Sequence, residues 1–80
     1  MDSKKKDLLN VIDRLDQENP TLRGQIPVTT MIAPMLNGVF DLAELGMAIK
    51  ELDKGGYLRI SGANPLGSVS ITDEGRREKS

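Results

Sequence analysis

Three segments of the chain place apolar residues at the spacing of an amphipathic helix. The first covers residues 3–18, and its apolar stripe consists of Leu8, Val11, Ile12 and Leu15. This helix should end near Asn19, because the residue before a proline is disfavoured in the helical region. A short extended piece is expected next, since Pro27 forces Ile26 into an extended conformation.

The second segment, about residues 29–38, predicts a helix that contains a proline. Thr29 or Thr30 is expected as its N-cap. Pro34 cannot donate a backbone hydrogen bond, so it should either sit in the first turn or kink the helix. The side chains predicted to face inward are Ile32, Met35, Leu36 and Val39.

The third segment, about residues 41–54, carries the strongest helix signals. Asp41 and Glu44 match a capping box, and Gly55 stands where a left-handed C-cap is expected. Its apolar stripe consists of Leu42, Leu45, Ile49 and Leu52. We expect the last three of these to pack against Leu8, Ile12 and Leu15 of the first helix.

A β-hairpin is predicted over about residues 57–72, because apolar and polar residues alternate on both sides of a turn. Pairing Ile60 with Val69 and Leu58 with Ile71 places all four apolar side chains on one face. Arg59 then points away from the core, opposite Ser70. The connecting loop is "ANPL", and Asn64, Pro65 and Gly67 fit a type I turn.

The composition argues against an enzyme, a metal site or a bound cofactor. The chain of 80 residues predicts a single domain, 1–80, and it contains no cysteine and no histidine. These absences remove the thiolate and imidazole groups that most zinc sites and many general bases use. Asp13 and Asp16 lie one helical turn apart and could share a cation, but a solvated polar face is the simpler interpretation.

The charge balance limits how the chain could attract nucleic acid. The net charge is −1, so binding would need a local basic patch. The run Lys4 to Lys6 is either a phosphate-contacting arm or a solvated helix end. Asp7 and Asn10 interrupt the apolar residues near the start, which leaves no stretch of signal-peptide length, so a cytoplasmic location without membrane contact is expected.

The order of these elements resembles the winged helix-turn-helix fold. The stretch "AIKELDKGGYLRI", followed later by "SITDEGRR", is similar to the recognition helix, wing and closing segment of small bacterial winged-helix regulators of the MarR and PadR type. The similarity covers roughly residues 28–77. It implies an α+β winged helix-turn-helix domain, with three helices followed by a two-stranded antiparallel hairpin.

The same resemblance implies a DNA-binding regulator of transcription. In that family the second helix braces the DNA backbone, the third enters the major groove and the wing reaches flanking phosphates. By position, the candidate DNA-binding residues are Thr29, Thr30, Ala43, Met47, Lys50, Lys54 and Arg59.

Two functions stay open at this point. The outward stripe of the third helix lacks arginine and amide side chains to read bases, and Glu44 and Glu51 flank it. One function is binding of double-stranded DNA, and the other is a module for protein contacts, including a homodimer. In the second, Ala43, Met47 and Leu66 would be exposed apolar anchors.

Overall fold

Four α-helices and a three-stranded antiparallel sheet make up the computed structural model, which describes residues 1–62 and 64–79. The helices are α1 (Ser3–Glu18), α2 (Ala33–Met35), α3 (Leu42–Lys54) and α4 (Asp73–Glu78). The strands are β1 (Ile26–Pro27), β2 (Leu58–Ser61) and β3 (Ser68–Ile71). A 3₁₀ turn at Pro20–Leu22 follows α1, and a π-helical turn at Val28–Ile32 precedes α2.

The helix α1 begins at Asp2, whose carboxylate accepts the Lys5 backbone N–H at 2.9 Å. Its buried side is rotated from the predicted stripe, because Leu9 and Asp13 are buried while Val11 is only half-buried. The apolar residues of α1 and α3 that were predicted to pack together all belong to one buried core. They are Leu8, Ile12, Leu15, Leu45, Ile49 and Leu52.

The predicted second helix over residues 29–38 is wrong in extent. A π-helical turn occupies its first half, with the Ala33 N–H bonded to the Val28 carbonyl, and the α-helix itself is three residues long. Pro34 lies in the first turn of α2, the position where its missing N–H is harmless. In a regular helix the proline ring would crowd the carbonyl four residues earlier, and the wider π-helical turn avoids that clash.

Two details of that segment are also corrected. Neither Thr29 nor Thr30 is the N-cap; Pro27 occupies the cap position, and no side chain bonds there. Met35, predicted to face inward, is 47% exposed, whereas Ile32 and Leu36 are buried.

Both ends of α3 are fixed by its own sequence. The capping box is present, with the Glu44 N–H donating to Asp41 at 2.8 Å and the Asp41 N–H donating to Glu44 at 3.2 Å. At the other end the left-handed residue is Gly56, with φ +84°, and not Gly55 as predicted. The Tyr57 N–H bonds to the Leu52 carbonyl and the Gly56 N–H to that of Asp53, the paired bonds of a Schellman motif.

The predicted hairpin register is confirmed. Leu58 pairs with Ile71, Arg59 with Ser70 and Ile60 with Val69. The Gly67 N–H donates to the Asn64 carbonyl at 3.0 Å, which closes the turn around Pro65. Ala63, the first residue of the predicted loop, lies outside the described residues.

The strand and helix counts differ from the expectation of three helices and a two-stranded hairpin. β1 pairs with β3 through Ile26 and Val69, so β3 is the central strand in the order β1-β3-β2. A fourth helix, α4, begins at Thr72, whose hydroxyl accepts the Gly75 N–H. β1 depends on pairing with a strand far along the chain, whereas the start of α4 has local signals, the Thr72 cap and two acidic residues in its first turn.

Candidate nucleic-acid interface

One face of α3 is exposed along the whole helix. It carries the four residues predicted to point outward, and all four are exposed: Ala43, Met47, Lys50 and Lys54. The opposite face holds Leu45, Ile49 and Leu52 in the core. Burial of that opposite face fixes the rotation of α3, and therefore the direction in which the outward face points.

Lys50 and Lys54 lie together on the outward face. They line a shallow groove with Ile60 of β2 and with the carboxylates of Glu51 and Asp53. Within residues 1–62 and 64–79, neither lysine has a carboxylate at salt-bridge distance. The groove therefore holds two ammonium groups without salt-bridge partners among the described residues, beside two carboxylates that are bonded elsewhere, Glu51 to Lys5 and Asp53 to the Ile60 N–H.

Arg59 is exposed on β2 but belongs to a different surface. It lines a neighbouring groove with three carboxylate side chains, those of Asp53, Asp73 and Glu74. No carboxylate in the described parts of the chain comes within salt-bridge distance of it. Asp53 lines both grooves, so an acidic side chain lies between the Arg59 guanidinium and the two lysines of α3.

The two glutamates that flank the outward face are held by lysines of α1. Lys5 forms an ion pair with Glu51, and the Lys4 ammonium lies 3.7 Å from Glu44. The bond to the Glu51 carboxylate raises the pKa of Lys5. Lys4 also lies over the Phe40 ring, 5.3 Å from its centre. Two of the three lysines of the predicted basic arm thus form ion pairs with glutamates of α3.

Thr29 and Thr30 lie apart from these cations, on the π-helical turn before α2. Both are exposed, and neither forms a cap. Their hydroxyls are available to a ligand at the surface.

The chain matches no protein-family model, no curated protein and no solved structure. Its function is therefore inferred from the chemistry of its own surface residues. None of the helices in the described parts of the chain has both the length and the apolar character needed to cross a membrane.

Large apolar side chains also reach solvent on α3. Met47 is 65% exposed and Leu42 is 53% exposed. Leu66, predicted as an exposed anchor, is half-buried, and it packs against the α3 backbone at Gly46, where a Cβ would lie 3.7 Å from its methyl group. Of the three predicted apolar anchors, Met47 and the small Ala43 are exposed and Leu66 is half-buried. Leu42 is a further exposed apolar side chain on α3.

A buried ion cluster on the other side of the domain was not predicted. The Asp13 carboxylate, whose side chain is 4% exposed, accepts from Arg76 Nε at 3.0 Å and lies 3.3 Å from Lys79 Nζ. Arg76 also binds Asp16 at 2.7 Å. The spacing of the two aspartates was visible in the sequence, but their partner lies 63 residues from Asp13 along the chain. The solvated face expected for Asp13 is wrong.

This cluster leaves no room for the shared cation considered for Asp13 and Asp16. The guanidinium of Arg76 occupies the position between the two carboxylates. Burial alone would raise the pKa of Asp13, but bonds from Arg76, Lys79 and Gln17 outweigh it and hold that pKa below its ordinary value. No group of three metal-ligating side chains occurs within residues 1–62 and 64–79.

Proposed function

We propose that this domain is a winged helix-turn-helix module that binds double-stranded DNA, as a small regulator of transcription does. α3 is the helix that enters the major groove, and the β2–β3 hairpin is the wing. The order α1, β1, α2, α3, β2, β3 supports this arrangement, as does a sheet in which β3 lies between β1 and the other wing strand.

The observation that carries the proposal is the pair of free lysines on the outward face of α3. Lys50 and Lys54 are exposed without carboxylate partners in the described residues, while Glu44 and Glu51 are bound by α1. The acidic flank that argued against DNA in the sequence is therefore compensated within the domain. Phosphate contacts from Lys50, Lys54 and Arg59 give about three neutralised phosphates per protomer.

Such an interface binds mainly the phosphate backbone of the DNA. Phosphate contacts position a protein but do not read bases, and the α3 face has no arginine, asparagine or glutamine to read them. We expect weak, largely non-specific binding by one protomer. A symmetric dimer would double the number of phosphate contacts.

The experiment is a fluorescence anisotropy titration of a random duplex pool at several salt concentrations. Log affinity should fall against log salt with a slope of about −3 per protomer. The double variant Lys50→Ala/Arg59→Ala should lose measurable binding at low salt while its thermal unfolding stays nearly unchanged, because both side chains are exposed.

A matched control removes two positive charges from α1 instead. Lys6→Ala/Arg14→Ala has the same net charge as the double variant, and we expect it to retain most of the affinity. Equal losses in both variants would mean that net charge alone drives binding. Absence of any binding by the wild type at about 50 mM salt would contradict the proposal.

A protein-contact module is the second candidate, and the exposure of Met47 and Leu42 favours it. A partner or a second copy that covers this part of α3 would bury both side chains. Sedimentation velocity over a range of concentrations tests the homodimer. If self-association occurs, is lost in Met47→Ser and takes place without DNA binding, the second candidate replaces the first.

A further inference from the structure

Lys54 has no salt-bridge partner in the described residues, which is unexpected from its position on α3. Glu51 precedes it by three residues, a spacing at which glutamate and lysine are neighbours on a helix and commonly pair. The Glu51 carboxylate bonds instead to Lys5 of α1. A residue outside α3 therefore decides whether Lys54 is available.

The other carboxylate within reach of the α3 lysines is also held elsewhere. Asp53 follows Lys50 by three residues, and its carboxylate accepts the Ile60 backbone N–H at 3.3 Å. Both acids line the same groove as the lysines, but the fold bonds one of them to β2 and the other to α1. Between them, Lys50 and Lys54 keep their charges for a ligand.

We propose that Lys5 is a positioning residue for DNA binding, which acts by holding Glu51 away from Lys54. The inference rests on the proposed function and names a residue outside the contact surface that sets its strength. Lys5 is suited to this role because its side chain is only 29% exposed, against 52% for Lys4. Loss of the Lys5 ammonium would release Glu51 to pair with Lys54, and one phosphate contact would be lost.

The test is a double-mutant cycle on DNA affinity at low salt. Lys5→Gln should weaken binding about two- to fivefold, the range expected for one exposed charge interaction. Glu51→Gln should bind at least as well as the wild type, because Lys54 stays free. The double variant Lys5→Gln/Glu51→Gln has the net charge of the wild type and should recover its affinity.

Lys4→Gln is the matched control. It removes the same charge from the same end of α1 and releases Glu44, but the residues three and four positions after Glu44 are Met47 and Ala48, which cannot pair with it. Its affinity should therefore change less than that of Lys5→Gln. Thermal unfolding of all four variants, followed by circular dichroism, checks that each one is folded.

The outcomes separate this inference from the proposed function. If the double variant binds as weakly as Lys5→Gln, Lys5 contacts DNA itself and the positioning role is overturned. Equal losses in Lys4→Gln and Lys5→Gln would overturn it as well, because net charge would then explain both. If the wild type binds no DNA, the proposed function fails, and the inference that rests on it fails with it.

Discussion

Replacing Gly75 by alanine should destabilise the domain, because a methyl group has no space there. Gly75 is buried in the first turn of α4, against the chain that enters β2. A Cβ at this position would lie 2.2 Å from the Tyr57 carbonyl oxygen and 2.9 Å from Ile71 Cγ1. The first obstacle is backbone and cannot rotate away, so α4 would have to move by about 1 Å to restore ordinary contact distances.

That movement would strain the bonds that hold α4 in place. The Thr72 hydroxyl donates to the Gly56 carbonyl at 2.6 Å, and the Thr72 N–H donates to the Tyr57 carbonyl at 3.2 Å. Overpacking of this kind costs about 1–3 kcal/mol and sometimes more, against a gain of roughly 0.5–1 kcal/mol for alanine over glycine in a helix. We expect a net loss of about 2 kcal/mol, which lowers the melting temperature by roughly 8–16 °C for a domain of this size.

Gly46→Ala is the matched control, since Gly46 is also a buried helical glycine. Its Cβ would meet the Leu66 side chain at 3.7 Å, an ordinary contact. Only the helix-propensity gain of roughly 0.5–1 kcal/mol remains, so this variant should melt at a higher temperature than the wild type. Urea unfolding followed by circular dichroism measures both changes. A Gly75→Ala variant as stable as Gly46→Ala would refute the close approach of α4 to Tyr57.

Two further predictions concern the core and the buried ion cluster. Ile49→Ala should cost about 2–5 kcal/mol in urea unfolding, because Ile49 is fully buried, and a loss below about 1 kcal/mol would mean that α3 is not central to the core. Asp13→Asn should cost about 1–3 kcal/mol at neutral pH, since Arg76 and Lys79 lose a charged partner. The pKa of Asp13 is lower in the folded state than its ordinary value of 3.8, so its contribution is complete above that value and is lost as the pH falls through the folded-state pKa. Unfolding measured against pH should therefore show the wild type and Asp13→Asn converging in acid, and a constant difference would contradict this.

Local signals in the sequence predict the elements whose causes are local. The ends of α3 follow from Asp41, Glu44 and the glycine pair, and the hairpin register follows from alternation around Asn64. The left-handed glycine was assigned one residue too early, because either of two adjacent glycines can adopt that conformation.

Sequence reasoning missed features that depend on contacts between distant parts of the chain. Ile26 was predicted to be extended, and it is, but its pairing with β3 was not predicted. The burial of Asp13 requires Arg76, which only the folded chain brings to α1. Pro34 was recognised as a difficulty, but the wide turn that accommodates it has no sequence signal of its own.

For the candidate interface, helical spacing predicted the four exposed residues Ala43, Met47, Lys50 and Lys54, but it wrongly assigned Leu42 to the buried stripe. It could not predict which cations are free. Lys4 and Lys5 looked like part of a basic arm, and the fold pairs them with Glu44 and Glu51. Ion pairing between elements depends on tertiary geometry, so only the structure shows that Lys50 and Lys54 lack salt-bridge partners in the described parts of the chain.

The most direct test of DNA binding through α3 is a map of backbone amide shifts as a short duplex is added to ¹⁵N-labelled protein. We expect the changes to concentrate on the outward face of α3, around Met47, Lys50 and Lys54, and on Arg59 of the hairpin. Amides near the Asp13–Arg76 cluster should not shift. Changes centred on that cluster, or no changes at all at low salt, would contradict DNA binding through α3.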